Sequence, residues 1–346
     1  MAHSALAELI LSRVRQFFRE PEAIFWTYGF PLITAIVLGL AFRNKPAAVI
    51  QFDAVQGAAS QYVLGALGHD QRFDITVSPP DEAMKRLRTN KTPVVVDMSP
   101  DGGVVYHYDP SHPDAPAARA AIDDALQRAA GRADPVNTTD QTVTAVGSRY
   151  IDFLVPGLIG MTLMGNGLWG VGFVLVDMRV RNLLKRLLAT PMRRSDFLLS
   201  MVGVRVLFFI PEMGVLLIAA HLIFGVPIRG SMLAVVLIAL LGSLCFAGLG
   251  LLTACRAKRI ETVSGLMNLV MLPMWLMSGI FFSSQRFPDP LQPLIQALPL
   301  TQLNNALRAV ILEGAPLMSQ AIPLVILLAW GVVSYVLALR WFRWTQ

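Results

Sequence analysis

Six charge-poor runs, each long enough to cross a bilayer, constrain this chain more than anything else in it. They cover 23–42, 153–176, 197–224, 231–255, 262–282 and 322–339. A bilayer's hydrocarbon core is about 30 Å thick, and a helix rising about 1.5 Å per residue needs roughly 20 apolar residues to cross it. No water at that depth satisfies the backbone, so each run is expected to be a helix that closes its own hydrogen bonds. Only 15% of the residues are charged and 54% are hydrophobic, whereas a soluble domain is about a quarter charged. The expected fold class is therefore an α-helical polytopic membrane protein with six transmembrane helices. The net charge of +6 does not point to nucleic acid, because Lys and Arg gather at the ends of the runs.

The loops set the orientation. Residues 177–196, 256–261 and the tail with Arg340 and Arg343 are basic, whereas 225–230 holds only Arg229 and 283–321 only Arg286 and Arg308. Basic loops stay in the cytoplasm, so both termini are expected there. Residues 1–22 are read as a cytoplasmic interfacial helix: Leu6, Leu9, Ile10, Val14, Phe17 and Phe18 share a face, and Pro21 ends it. A helix packed on other protein is the alternative. Residues 23–42 are the first transmembrane helix, with Trp26 and Tyr28 as interface aromatics. Residues 43–149 differ in kind, with thirteen acids, many alanines and prolines and short alternations. Strands are predicted over 48–52 and 73–77. A hairpin is predicted from 93–98 through Asp101-Gly102-Gly103 to 104–108, and helices over 55–67, 80–89 and 115–130. That segment is expected to be a small α/β extracytoplasmic domain inserted between spans one and two. Residues 150–346 hold the five further spans.

The stretch DMRVRNLLKRLLATPMRRSD, 177–196, carries six basic residues against two acids. Its spacing predicts an amphipathic helix over 181–189, with Leu183, Leu184, Leu187 and Leu188 on one face and Arg181, Lys185 and Arg186 opposite. Thr190 and Pro191 stop it. Such a helix is a topology anchor, or also a docking surface for a cytoplasmic partner. Arg205 and Glu212 stand seven apart inside the third run. A central charge costs roughly 2.5–3.5 kcal/mol, so either Glu212 faces an internal cavity or subunit seam and shapes a polar path, or Arg205 or a neighbouring helix neutralises it and it fixes register. Between runs five and six, prolines punctuate two short helices expected to dip into the membrane over about 290–313. Thr301 is the expected N-cap of the second, with Asn304 and Arg308 further polar candidates. Gly165 and Gly167 suit close helix packing. Met161, Met164, Met267, Met271, Met274 and Met277 in runs two and five are adaptable cargo contacts or packing filler. The sequence has no phosphate-binding GxxxxGK[ST] loop, nucleophile elbow, HExxH or paired intramembrane carboxylates. The expectation is no catalytic, cofactor or metal site on this chain.

With those residues in view, the chain resembles the permease subunits of ABC-2 type exporters, over nearly its whole length. RNLLKRLLATPMRRSDFLL is similar to the family's coupling helix, with Arg181, Lys185, Arg186, Leu187, Thr190 and Pro191 matching its basic-Leu-x-x-Thr-Pro pattern. Many members have an acidic-Arg-Gly-Thr run where this chain reads Val180, Arg181, Asn182 and Leu183. FGVPIRGS, MLPMWLMSGIFF and LPLTQLNNALRAVILEG resemble other family segments, the last its re-entrant helices. The insert resembles that of the subgroup with a large periplasmic domain. The resemblance implies a multi-pass bacterial inner-membrane protein that is not itself an enzyme. It would pair with a second copy or a homologous permease and bind a cytoplasmic ABC ATPase subunit that holds ATP and Mg. Leu184 joins the coupling residues, membrane lipids and a periplasmic adaptor are further partners, and nucleic acid is not one. The cargo would be hydrophobic or amphipathic: a drug-like compound, a lipid or a lipid-linked molecule. The alternative is a mechanotransmission complex that moves its external domain without moving cargo. A cargo path lined by spans two and five would separate the two readings.

Overall fold

The structure, a computed structural model, describes residues 5–41, 49–133, 149–188 and 194–341. The chain divides into two units, Met1–Arg43 with Val143–Gln346, and Asn44–Thr142. The first unit begins with α1 (Ala5–Arg19). A single turn, Pro21–Ile24, then runs directly into α2 (Phe25–Ala41). α1 packs on the later helix 194–224 through Phe17, whose ring lies 4.5 Å from that of Phe208. Phe18, predicted on the same face as Phe17, is exposed instead.

The second unit contains β1 (Ile50–Val55), α3 (Ala58–Leu67), β2 (Phe73–Ser78), α4 (Pro80–Arg88), β3 (Val94–Met98), β4 (Val104–Tyr108) and α5 (Ala115–Ala129). Its sheet has the order β2-β1-β3-β4, with β1 parallel to β2 and β3, and β4 antiparallel to β3. Parallel neighbours need crossovers, and α3 and α4 supply them. Phe52, Val63, Val94 and Ile122 form its core. The predicted helix over 55–67 starts later because Val55 pairs with Ser78 as the last residue of β1. Asp53 is buried in the sheet, paired to Arg86 at 2.7 Å, and accepts a hydrogen bond from the Ser78 hydroxyl at 3.3 Å.

The first unit resumes with α6 (Tyr150–Val180), α7 (Leu183–Leu188), α8 (Arg194–Phe224) and α9 (Met232–Ala254). It ends with α10 (Ile260–Met277), α11 (Gln292–Ala297), α12 (Pro299–Glu313) and α13 (Ala321–Trp341). Among the described residues, five helical segments are long and apolar enough to cross a membrane: Tyr150–Val180, Ser200–Phe224, Met232–Ala254, Ile260–Met277 and Leu317–Trp341. The run expected as the first crossing gives the shorter apolar helix α2. Burial inside the protein covers 67% of the apolar window of α6 and 61% of that of α9, but only 17% of that of Leu317–Trp341. The unit is thus built around α6 and α9. Their backbones approach so closely that a Cβ on Gly250 would stand 2.6 Å from the Gly167 carbonyl oxygen. Gly165 meets nothing within 4 Å and does not share that packing role.

Three of the boundary shifts in this unit have a local backbone cause. The helix expected over 181–189 begins at Leu183, because Asn182 takes a left-handed φ of 56° and breaks it from α6. α10 stops at Met277 rather than near 282, where Gly279 adopts a φ of +71° as a helix terminator. α12 starts at Pro299 with Leu298 as its N-cap. Thr301 therefore lies inside the first turn and caps nothing, since proline favours that entry position.

Candidate functional site

Among the described residues, Leu183 and Leu184 seat the basic segment after α6 on the main core. Leu184 is buried in the main core, whereas Arg181 and Arg186 are exposed. Arg181 belongs to the turn, not to α7, and pairs with Asp177 at 2.8 Å. Lys185 and Leu187 lie in α7, but their side chains fall outside the described residues, as do Thr190 and Pro191 entirely. Arg179 was not singled out in the sequence, yet it is buried beside this segment. Its guanidinium donates to the carbonyls of Ala254 at 2.9 Å, Ala257 at 2.5 Å and Cys255 at 3.2 Å. Carbonyls at a helix C-terminus carry partial negative charge and lack intrahelical partners, so Arg179 ties the end of α6 to the end of α9. Nothing in its sequence context separates it from the ordinary anchoring arginines nearby.

Arg205 and Glu212 are brought together. Arg205 Nη1 and Nη2 donate to Glu212 Oε1 and Oε2 at 2.8 and 2.5 Å, and Nε donates to the Ser243 hydroxyl of α9 at 2.8 Å. Two turns of α8 place the groups on one face, and the bidentate geometry neutralises both. The pair also forms part of the wall of a cavity of about 300 Å³, so register and cavity wall are both parts of its position.

Asn304 and Arg308 of α12 grip the turn that ends α10. Asn304 Nδ2 donates to the Ser278 carbonyl at 3.0 Å. Arg308 donates to the carbonyls of Gly279 and Phe153, the latter at 3.2 Å, and stacks on the Phe153 ring at 3.7 Å. Thr301 is buried, its hydroxyl without a hydrogen-bond partner among the described residues. These groups clamp α12 to α6 and α10 rather than lining a large opening.

A larger opening lies elsewhere, among the start of α2, the middle of α6 and α10. Its volume is about 960 Å³, within the range that takes drug-sized ligands. Trp26, Phe30, Trp169, Phe173 and Trp275 line it, with Met161 and Met271. Arg19, Glu20 and Glu22 stand at one side. It adjoins the 300 Å³ chamber, and both touch Glu20, Trp26, Asn166 and Trp169. Two π-helical turns set this lining, Phe25–Gly29 in α2 and Leu168–Phe173 in α6. Such widened turns shift the side chains that follow and recur at functional sites. Trp169 Nε1 points at Met271 Sδ, 3.2 Å away. Asn166 Nδ2 and Trp275 Nε1 have no hydrogen-bond partner among the described residues. Met164, Met267 and Met274 are packed into the core, so the methionine pattern is mainly filler with Met161 and Met271 at the opening. In the smaller chamber Arg13 donates to Gln16 at 2.9 Å. Burial pushes the Arg13 guanidinium down, while Asp177 and Glu20 oppose that shift. Aromatic periodicity did not reveal this opening, because the π turns break the regular helical spacing.

Residues 21–340 match the family model described as ABC-2 family transporter protein. Among curated relatives, ABC transporter G family member 20 of Dictyostelium discoideum is 30% identical over 196 residues, 56% of this chain and 27% of that protein. Inner membrane transport permease YadH of Escherichia coli is 28% identical over 166 residues, 47% of this chain and 63% of YadH. This chain thus spans less than two thirds of either. Linearmycin resistance permease protein LnrN of Bacillus subtilis is 20% identical over 378 aligned residues, covering 94% of this chain and 96% of LnrN.

Proposed function

The chain belongs to the ABC-2 family of transporter proteins, and from that premise we propose that it is the transmembrane permease subunit of an ATP-driven exporter of hydrophobic or amphipathic cargo. Hydrolysis belongs to a separate cytoplasmic ATPase subunit. That subunit docks on α7 and the basic residues around it, and the permease works beside a second copy or a homologous permease. α2 with its preceding turn is the first of six crossings, both termini are cytoplasmic, and the 44–142 unit faces the other side.

Motion has a physical route. When the ATPase subunits close on ATP they pull α7. Leu184 is embedded in the core, so the end of α6 follows. Arg179 binds the carbonyls that end α9, so α9 moves with α6. The cavity walls belong to α2, α6 and α10, and a shift of α6 changes the opening. The names of YadH and LnrN, a transport permease and a resistance permease, agree with this reading.

The observation that carries it is the aromatic and methionine-lined cavity of about 960 Å³ between α2, α6 and α10. A mechanotransmission complex would need no such chamber. The test is to co-purify the chain with its cytoplasmic ATPase and measure hydrolysis in nanodiscs against a panel of amphipathic compounds. Stimulation that disappears when Gly165→Trp fills the cavity supports export. Hydrolysis indifferent to every compound and to the filled cavity sinks it.

A further inference from the structure

We propose that the cavity between α2, α6 and α10 selects a monovalent lipophilic organic cation; calling that ligand the cargo rests on the export reading above. Three indole and two phenyl rings line it: Trp26, Trp169, Trp275, Phe30 and Phe173. An interfacial aromatic belt turns its rings outward toward the lipid headgroups. Here rings from three separate helices border one opening instead. An aromatic face carries a negative quadrupole and attracts a cation, tryptophan most strongly. Two carboxylates, Glu20 and Glu22, stand at the same opening against Arg19. The guanidinium of Arg205 in the adjoining chamber is already matched by Glu212. Arg13 there donates to the neutral amide of Gln16 and keeps its charge, which Asp177 and Glu20 oppose. A bulky cation thus meets ring faces inside and carboxylates at the mouth. An anion of the same size meets the wrong end of each quadrupole.

The experiment uses the full chain in nanodiscs of zwitterionic lipid and two ions of near-equal size and opposite charge, tetraphenylphosphonium and tetraphenylborate. Saturable binding is measured by equilibrium dialysis, with empty nanodiscs subtracted to remove partitioning into lipid. The expected result is saturable binding of the phosphonium and little or none of the borate. Glu20→Gln and Glu22→Gln, at exposed positions that carry little of the fold, each weaken phosphonium binding by about fivefold, as for unit charges roughly 4 Å apart in water. Trp169→Leu weakens it by about two- to thirtyfold, the range of one cation–π contact, and Trp169→Phe restores part of the loss. Equal saturable binding of both ions, no saturable binding of either, or indifference to both glutamine variants overturns the proposal. The export reading fails separately. If neutral amphiphiles stimulate the ATPase while the phosphonium shows no preference, only the cation inference is lost. If the cation binds as expected but no compound alters hydrolysis, only the export reading is lost.

Discussion

The buried Arg205–Glu212 pair makes the sharpest quantitative prediction. Arg205 is 5% exposed and Glu212 4% exposed, and the two terminal guanidinium nitrogens bond both carboxylate oxygens. Glu212→Leu leaves a buried guanidinium with the Ser243 hydroxyl as its remaining partner here. Arg205→Leu leaves a buried carboxylate. Removing one member of such a pair costs about 3–5 kcal/mol, whereas replacing both by apolar groups is often close to neutral. The Ser243 hydroxyl loses its donor in the double variant, which adds about 1 kcal/mol. Each single variant should therefore lose about 3–5 kcal/mol and the double variant no more than about 1 kcal/mol. A double-mutant cycle should then return a coupling of about 5 kcal/mol or more. The assay is reversible unfolding of the detergent-solubilised chain by titrated sodium dodecyl sulfate, followed by tryptophan fluorescence. A double variant as unstable as the sum of the two singles would refute the reasoning. Glu212 would then be a cavity acid held independently of Arg205.

The docking surface is tested by Arg181→Glu with Arg186→Glu. Both side chains are exposed, and like charges across an interface cost several kcal/mol, so ATPase coupling should fall about tenfold or more while the protein still elutes as one folded species. Normal export by that variant would remove the docking role. Gly250→Val should part α6 from α9 and cost about 1–3 kcal/mol by overpacking, whereas Gly165→Ala, with open space at its Cβ, should be near neutral in the same unfolding assay. In the 44–142 unit, burial and then the hydrogen bond donated to Asp123 at 3.1 Å raise the Tyr106 phenol above its ordinary 10.0. Above that pH the unfolded chain sheds the proton before the folded one, so stability is intact below pH 10.0 and falls as the pH climbs beyond it. Circular dichroism of the sheet against pH should show that fall, and Tyr106→Phe should flatten it.

Much of this was legible along the chain. Runs of apolar residues set the crossing helices, because backbone satisfaction in lipid leaves a single local solution. The β3–β4 hairpin and the helices at 80–88 and 115–129 were equally plain, each specified by neighbours within a few residues. Boundaries slipped where one residue's backbone decided the matter, as Asn182 did before α7 and Pro299 before α12. The candidate site was less legible. Spacing placed Arg205 and Glu212 on one face, but did not tell a neutral pair from a cavity acid. It also left the aromatic opening unseen.

The sequence by itself determined which segments are helices, which are strands and where positive charge gathers, because hydropathy and hydrogen-bond periodicity act between near neighbours. Tertiary structure alone decided that Arg179 grips carbonyls 75 or more residues away. It alone set rings from α2, α6 and α10 around one opening. The reason is geometric: contacts between distant residues depend on how helices pack and where a π turn rotates them, and no run of adjacent letters records that rotation.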